Sequence, residues 1–544
     1  MMRLACKRGM WAVIAGLCSL FAFGDMHATD ASLYVVRSDH WTEQDERGYQ
    51  HFIAAIGESD CASLNECLHS AANPFAASEP AARHFESDCA DLPYVLRFYY
   101  AWKMGLPFSY VDAVAPRDGS SDDIRYSHSG NRPISRHDVS SGKLSGMAVI
   151  AQIRSAISSA TYRIHPAYDG PITPDLYAPA IAPGSIRPGT MVYDPAGHVA
   201  IVYRVDPDGQ IHSFDAHTDF SLTTITFDVR FARTRPSQGA GFKNWRPLSL
   251  VHGEKQEDGT WRGGVIVPAR NSEIADFSSE QFYGTGPRPA DDQWASGRFA
   301  LGGETLDYYD FVRARLAGGT LIFEPLKEVE EMTRSLCSDL QYRAAAVELA
   351  HAMAGRPHPA RLPHNIYGSE GDWEMYSTPS RDARLKTEFK HLRDTVQRFV
   401  EMQAAHDTRH LRYQGDDLPG DLAKIYRRAS ESCFVAYRKS DGSVVRLSFE
   451  EVRERLFALS FDPYHCPERR WGARDAELSS CKTDAVKEAW YGAEQALLNQ
   501  IERSYDARMD FSLDELGRSG LGVATPPDTD VLGYLSKFEK QASE

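Results

Sequence analysis

The spacing of hydrophobic residues changes character along the chain. From residue 29 to about 250, short apolar runs of strand length mix with helical stripes. From about 302 onward apolar residues recur three to four apart, the period of a helix packed on one side. In the first part the clearest stripe is Val95, Leu96, Phe98, Tyr99 and Trp102, ended by Gly105 and Pro107 as a C-cap and a breaker. A meander follows later. Ile186-Arg187-Pro188-Gly189 reads as a turn, Thr190–Asp194 as a strand and Pro195-Ala196-Gly197 as a second turn. His198–Val205 is an apolar, β-branched run typical of a buried strand. Asp206-Pro207-Asp208-Gly209 then turns the chain into a strand over Gln210–His217.

The second part predicts four helices, over Asp307–Leu316, Pro325–Ala354, Arg381 to about Ala404 with Ser380 as its cap, and Asp484–Met509. One hairpin interrupts them, Phe434–Arg438 against Val444–Ser448 around Ser440-Asp441-Gly442. Ser448 and Glu451 then have capping-box spacing. Between the two parts, residues 251–300 are rich in Gly, Pro, Asp, Glu and Ser and read as a linker or wrapping arm. The expected organisation is thus a folded unit over 29–250, the arm over 251–300, and a mainly helical domain of unassigned role over 301–544.

With 544 residues, one ordinary core is too small for the chain. The formal net charge of −15 and the absence of a long Lys/Arg block give no reason to expect a nucleic-acid partner. The first residues look like a secretory signal over 1–28. Arg3, Lys7 and Arg8 precede an apolar stretch from about Gly9 to Gly24, and Ala28 offers a small residue for cleavage. No later run is long and apolar enough to span a membrane, so an exported, periplasmic or secreted protein without a stable membrane span is expected.

Export makes the cysteine count informative. Without Cys6 and Cys18 the chain keeps Cys61, Cys67, Cys89, Cys337, Cys433, Cys466 and Cys481, an odd number. Cys61/Cys67 and Cys466/Cys481 are near neighbours in sequence, and Cys337/Cys433 is the remaining pair. This pairing is one of several the sequence allows, and it leaves Cys89 free. Cys89 sits at or just before the start of the stripe that begins near Val95. There the unpaired N–H groups and positive dipole end of a helix favour a thiolate. His198 opens a buried strand beside Gly197, where an imidazole is able to take and return a proton.

The partner that orients His198 depends on the turn after Val205. A four-residue turn between Pro207 and Asp208 puts Asp215 opposite Ala200 and His217 opposite His198, all on one face. A three-residue turn with a Gly bulge reverses the parity and presents His212 instead. Asp215 is the better partner for an imidazolium, and His212 stays the alternative. Neither a cofactor nor a metal is expected.

Asp88-Cys89-Ala90 at a helix start resembles the Asp-Cys-Ser nucleophile segment of the NlpC/P60 cysteine peptidases. Arg187-Pro188-Gly189-Thr190-Met191-Val192-Tyr193 resembles their Pro-Gly-Asp-Leu-x-Phe strand, and Gly197-His198-Val199-Ala200-Ile201-Val202 their Gly-His-Val-Gly-Ile-Tyr strand. Ser213-Phe214-Asp215-Ala216 falls where that family has a polar third residue, usually His, before Ala. The resemblance spans Phe85 to about Phe231. Ala90 replaces the family's Ser, a polar insertion from about Ala113 to Lys143 lengthens the interval between Cys89 and His198, and the C-terminal half has no counterpart. The insertion carries Arg125, Tyr126, His128, Asn131, Arg132 and Arg136, which offer a clamp for a substrate carboxylate or a solvated loop.

What the resemblance implies is an α+β, papain-like domain: a nucleophile helix on an antiparallel sheet, followed here by a mainly α-helical C-terminal region. The implied activity is that of an exported thiol hydrolase, an amidase or peptidase acting on a peptide or amide, with peptidoglycan stem peptides as the natural candidate. An acyltransferase, a transglutaminase-like enzyme or a thioesterase would use the same groups. A non-enzymatic envelope protein with an inert Cys89 is the remaining reading.

Overall fold

The computed structural model describes residues 33–120, 123–363, 371–376, 379–501, 509–518 and 522–541. The signal expected over 1–28 lies outside these residues. The fold is α+β, built around a six-stranded antiparallel sheet. Its strands are β1 (Leu176–Tyr177), β2 (Met191–Asp194), β3 (His198–Val205), β4 (Ile211–Ala216), β5 (Leu222–Thr226) and β6 (Gly241–Trp245), in the spatial order β1-β6-β2-β3-β4-β5. β3 is central and buried on both faces, which is why it reads as a continuous apolar run rather than an alternating one.

The two faces are covered by different parts of the chain. Met191, Tyr193, Val199 and Ile201 pack into one core with helices α1 (Glu43–Gly57) and α2 (Leu92–Met104). Val192, Ala200 and Val202 point the other way, into a core with Phe299 and with Phe311, Val312 and Leu316 of helix α3 (Tyr308–Leu316). Helix α2 is buried from Leu92 to Trp102, so its stripe is a whole cylinder of apolar and aromatic contacts. Even Arg97 is enclosed there, stacked 3.4 Å from the Trp41 ring centroid and paired with Glu46. Gly105 ends the helix in the left-handed conformation, as its sequence position implies.

The helical half packs behind this sheet. Its long helices are α4 (Pro325–Leu349) and α5 (Pro379–Ala404), and a shorter helix, α6 (Ala485–Leu498), lies near the C-terminus. The hairpin Phe434–Arg438 with Val444–Ser448 and the Ser448/Glu451 capping box form as the sequence suggests. Of the two readings of residues 251–300, a wrapping arm fits: Leu248–Val251 pairs with Val265–Pro268, Pro179 bridges Phe277, and Leu248 and Ile266 join the first core. Two expectations need correction. The boundary near 300 cuts a continuous core, because α3 closes the second face of the sheet. Helix α5 starts at Pro379, whose missing N–H costs nothing in a first turn, so Ser380 lies inside the helix rather than capping it.

Two helices are also shorter than their periodicity suggests. Helix α4 stops at Leu349 and runs on as a 3₁₀ turn, His351–Gly355. Helix α6 ends at Leu498, with Asp484 accepting from the Val486 and Lys487 N–H groups as its N-cap. In residues 365–380, where the sequence gathers Tyr367, Trp373 and Tyr376 among Gly and acidic residues, Trp373 is buried beside Tyr464 and His358. Tyr367 lies outside the described residues.

Ion pairs join the halves. Arg230 is buried among Asp228, Asp339 of α4 and Glu388 of α5. Arg313 of α3 holds Asp208 in the β3–β4 turn and Glu328 of α4. Among the described residues no helix is long and apolar enough to cross a membrane. Cys61/Cys67, Cys337/Cys433 and Cys466/Cys481 lie at disulfide distance, and Cys89 is free. Thiol labelling of the denatured, unreduced protein should therefore modify Cys89 alone among Cys61 and the cysteines that follow it; labelling of Cys337 or Cys433 would contradict this pairing.

Candidate active site

Cys89 lies in the turn leading into α2, two residues before the Asp91 N-cap. The turn closes through the Leu92 N–H, which donates to the Asp88 carbonyl at 3.1 Å. Pro93, lacking an N–H, cannot make the next bond back to Cys89, so the regular helix begins late. The Tyr162 hydroxyl anchors the turn by donating to the Ala90 carbonyl at 2.6 Å.

His198 is the first residue of β3. Gly197, at φ +84°, makes the turn before it, and a side chain there would press on Tyr126 and Ser159. The Cys89 thiol approaches the end of this strand, with Sγ 3.7 Å from the Gly197 carbonyl oxygen. His198 Nε2 lies 2.5 Å from Asp215 Oδ2. The other carboxylate oxygen accepts from the Thr223 hydroxyl at 2.7 Å, and Thr223 in turn meets His217 Nε2 at 2.9 Å. With Nε2 engaged, Nδ1 is the ring nitrogen left for chemistry.

His198 contacts Asp215 rather than His212 because of an irregularity the sequence did not announce. The turn is of the three-residue kind: the Asp206 N–H bonds the Gln210 carbonyl, and Gly209 stands at φ +82° against the Arg313 carbonyl. That turn alone would present His212. A bulge between Val202 and Arg204 then shifts the register by one, so Ile201 pairs with Phe214 and Val202 with Ser213. Continued toward the strand end, this register puts Asp215 opposite Ala200 and His217 opposite His198. His212, before the bulge, pairs with Arg204, and its Nε2 contacts Asp206 at 2.9 Å. It does not line the Cys89 cavity.

That cavity, of about 100 Å³, lies between the halves. The sheet side contributes Cys89, His198, Asp215, His217 and Thr223; helices α4 and α5 contribute Asp339, Tyr342, Arg381 and Asp382. Tyr342 stacks on His217, ring centroids 4.0 Å apart, and Arg381 lies 5.1 Å over the Tyr342 ring. No carboxylate among the described residues pairs with Arg381, whereas Asp382 is taken by Arg343. The insertion does not supply the cavity's cation: Arg125 pairs with Asp123 and Arg136 with Asp175. Parity pointed to His217, since it shares a face with Asp215. Nothing local in the sequence marks Tyr342 or Arg381, which reach the site only through the packing of the halves.

The electrostatics differ from the sequence expectation. Burial pushes the Cys89 thiol up to about 12, and the Asp88 carboxylate adds to the rise. The helix start cannot favour the thiolate because Asp88 already occupies it, accepting from the Ala90 and Asp91 N–H groups. Burial also raises the Asp215 carboxyl, but the His217 and His198 imidazoles and the Thr223 hydroxyl outweigh it and hold the group far below the carboxylate range. Burial brings His217 down to about 4, so it is neutral at ordinary pH. The cavity therefore holds a protonated thiol and an imidazole in contact with an ionised carboxylate.

Compared with known proteins, the chain matches no family model, no curated protein and no solved structure.

A raised thiol pKa has a direct consequence. Alkylation of Cys89 by iodoacetamide should be slower at about pH 7 than that of an unstructured cysteine, whose pKa is about 8.5, and should climb through about pH 9 and beyond. A fast rate that is flat between about pH 5 and 8 would instead indicate a preformed thiolate–imidazolium pair.

Proposed function

We propose that this protein is a thiol hydrolase of papain-like, NlpC/P60-type design that cleaves an amide bond next to an anionic group. The observation that carries the reading is the His198–Asp215 contact of 2.5 Å in the cavity that also holds Cys89. A carboxylate-oriented imidazole beside a thiol is the arrangement nucleophilic acyl transfer requires.

In this mechanism Cys89 Sγ attacks the carbonyl carbon while His198 Nδ1 takes the thiol proton. Asp215 stabilises the imidazolium that forms. The Cys89 backbone N–H, bound to no group among the described residues, is available to the oxyanion. His198 returns the proton to the leaving amine, the C–N bond breaks, and a thioester remains on Cys89. Water, deprotonated by His198, then attacks the thioester, releasing the acid and restoring the thiol. Because the thiol pKa is raised, proton removal accompanies attack rather than preceding it.

The helical half supports a role in substrate choice. Arg381, whose guanidinium pairs with no carboxylate among the described residues, is suited to a substrate carboxylate, and the Tyr342 ring offers a flat apolar surface. Together with the signal-like residues 1–28 and the paired cysteines, this favours export and peptidoglycan stem peptides, which carry free carboxylates.

The test is turnover of muropeptides followed by mass spectrometry. Cys89→Ala should abolish cleavage, and Asp215→Asn should lower kcat roughly 100-fold or more. His212→Ala should stay within about twofold, and Arg381→Ala should raise KM about tenfold with little change in kcat. Full activity in Cys89→Ala, or a large loss in His212→Ala with little in Asp215→Asn, would refute the assignment.

A further inference from the structure

A second cluster of ionisable side chains lies in the helical half, and none of them lines the Cys89 cavity. His358 comes from the segment after α4, Asp462 from the loop before Cys466, and Glu494 from helix α6. Asp462 and Glu494 are fully enclosed, as is the His358 side chain. One ligand atom from each of the three lies within 4.8 Å of the others.

Two details of the cluster bear on what it could hold. His358 Nδ1 is 2.6 Å from the Pro359 carbonyl oxygen, which only accepts, so the ring proton sits on Nδ1. Nε2 then faces Asp462 Oδ2 at 2.6 Å, a contact that needs a proton between the two atoms, which a bound cation would displace as they part. Meanwhile both carboxylate oxygens of Glu494 lack a hydrogen-bond donor among the described residues, although the residue is entirely buried. A buried carboxylate without a donor is costly. Arg470, a buried guanidinium whose nitrogens have no hydrogen-bond partner among the described residues, donates to none of the three. His465 is already engaged, with Nδ1 at the Ser460 hydroxyl and Nε2 at the Lys487 carbonyl.

We propose that His358, Asp462 and Glu494 bind one divalent transition-metal ion, with zinc the best match. The donors are one imidazole nitrogen and two carboxylates, a set that suits zinc better than the all-oxygen preference of calcium or magnesium. A ligating imidazole commonly donates its second N–H to a carbonyl, the part Pro359 plays here. Two carboxylates and a neutral imidazole also balance the ion's charge in a dry site. Trp490 stacks on the His358 ring with centroids 4.5 Å apart, and Tyr464 and Trp373 complete an apolar shell. The ion's role is structural: it ties helix α6 to the segments around His358 and Asp462. The sequence concealed this site because its donors are far apart and share no motif spacing.

The competing arrangement is a shared-proton cluster, with His358 as imidazolium and Glu494 as a neutral acid donating to Asp462. Full-length protein carrying Cys89→Ala, so that the catalytic thiol binds nothing, is stripped with chelator and titrated with zinc sulfate. The expected result is about one zinc retained per chain after dialysis, with a rise in Tm that chelator reverses. Glu494→Gln in the same background should cut retained zinc at least about fivefold and remove that rise. Cobalt(II) should give visible d–d absorption that Glu494→Gln abolishes, a readout that does not depend on stability. A glutamine amide can replace a neutral acid as donor. No retained zinc in the parent, or a Glu494→Gln variant whose zinc content and Tm match the parent, would overturn the proposal.

Discussion

The pairing register between β3 and β4 decides what the site is made of. Strand side chains alternate faces, so a shift of one residue would replace Asp215 by its neighbours and leave His198 without a carboxylate. The register results from two irregularities that cancel in parity. A three-residue turn at Pro207-Asp208-Gly209 turns the pairing one way, and the bulge between Val202 and Arg204 turns it back. The turn is held by the helical half, since Arg313 of α3 binds Asp208 and its carbonyl crowds Gly209. The His198–Asp215 geometry thus depends on residues more than 100 positions further along the chain.

The same interdependence explains why the cavity lies where it does. One face of the sheet is filled by α1 and α2 and the other by α3, while α4 and α5 line the cavity at its rim. His198 and Asp215 belong to the second face, while Cys89 arrives from the first, around the end of β3. Cys89, His198 and Asp215 therefore lie at a rim that the helical half lines from the other side. Arg230, with acidic partners on its own loop and on both long helices, fixes that closure. Burial of the rim raises the thiol pKa and depresses that of His217. The same enclosure gives the His198–Asp215 contact its strength in a low-dielectric setting.

Much of this was legible in the sequence, and the limits have physical reasons. The nucleophile turn, the strand beginning at His198, the hairpin at Phe434–Ser448 and the cysteine pairs follow from local patterning and counting. Asp215 was reached by a register argument whose turn was misjudged, since a bulge leaves no mark in an apolar run such as Ile201-Val202-Tyr203. The acidity of Cys89 was misjudged because helix-end reasoning omitted the competitor: Asp88 takes the same N–H groups first. Tyr342, Arg381 and the His358–Asp462–Glu494 cluster depend on long-range packing, which periodicity does not encode. The apparent division near residue 300 failed for a related reason, because composition marks solvent exposure and a wrapping arm is exposed on one side only.

The central claim is that Cys89 and His198 act together in acyl transfer. It is tested most directly by trapping the covalent intermediate. Mixing the protein with a small activated ester, quenching in acid and mapping the adduct by mass spectrometry reports where the acyl group goes. The account predicts a thioester on Cys89 that forms and then decays in the wild-type protein, and that fails to form at a comparable rate in His198→Ala. An acyl group found elsewhere, or on Cys89 at the same rate without His198, would contradict it.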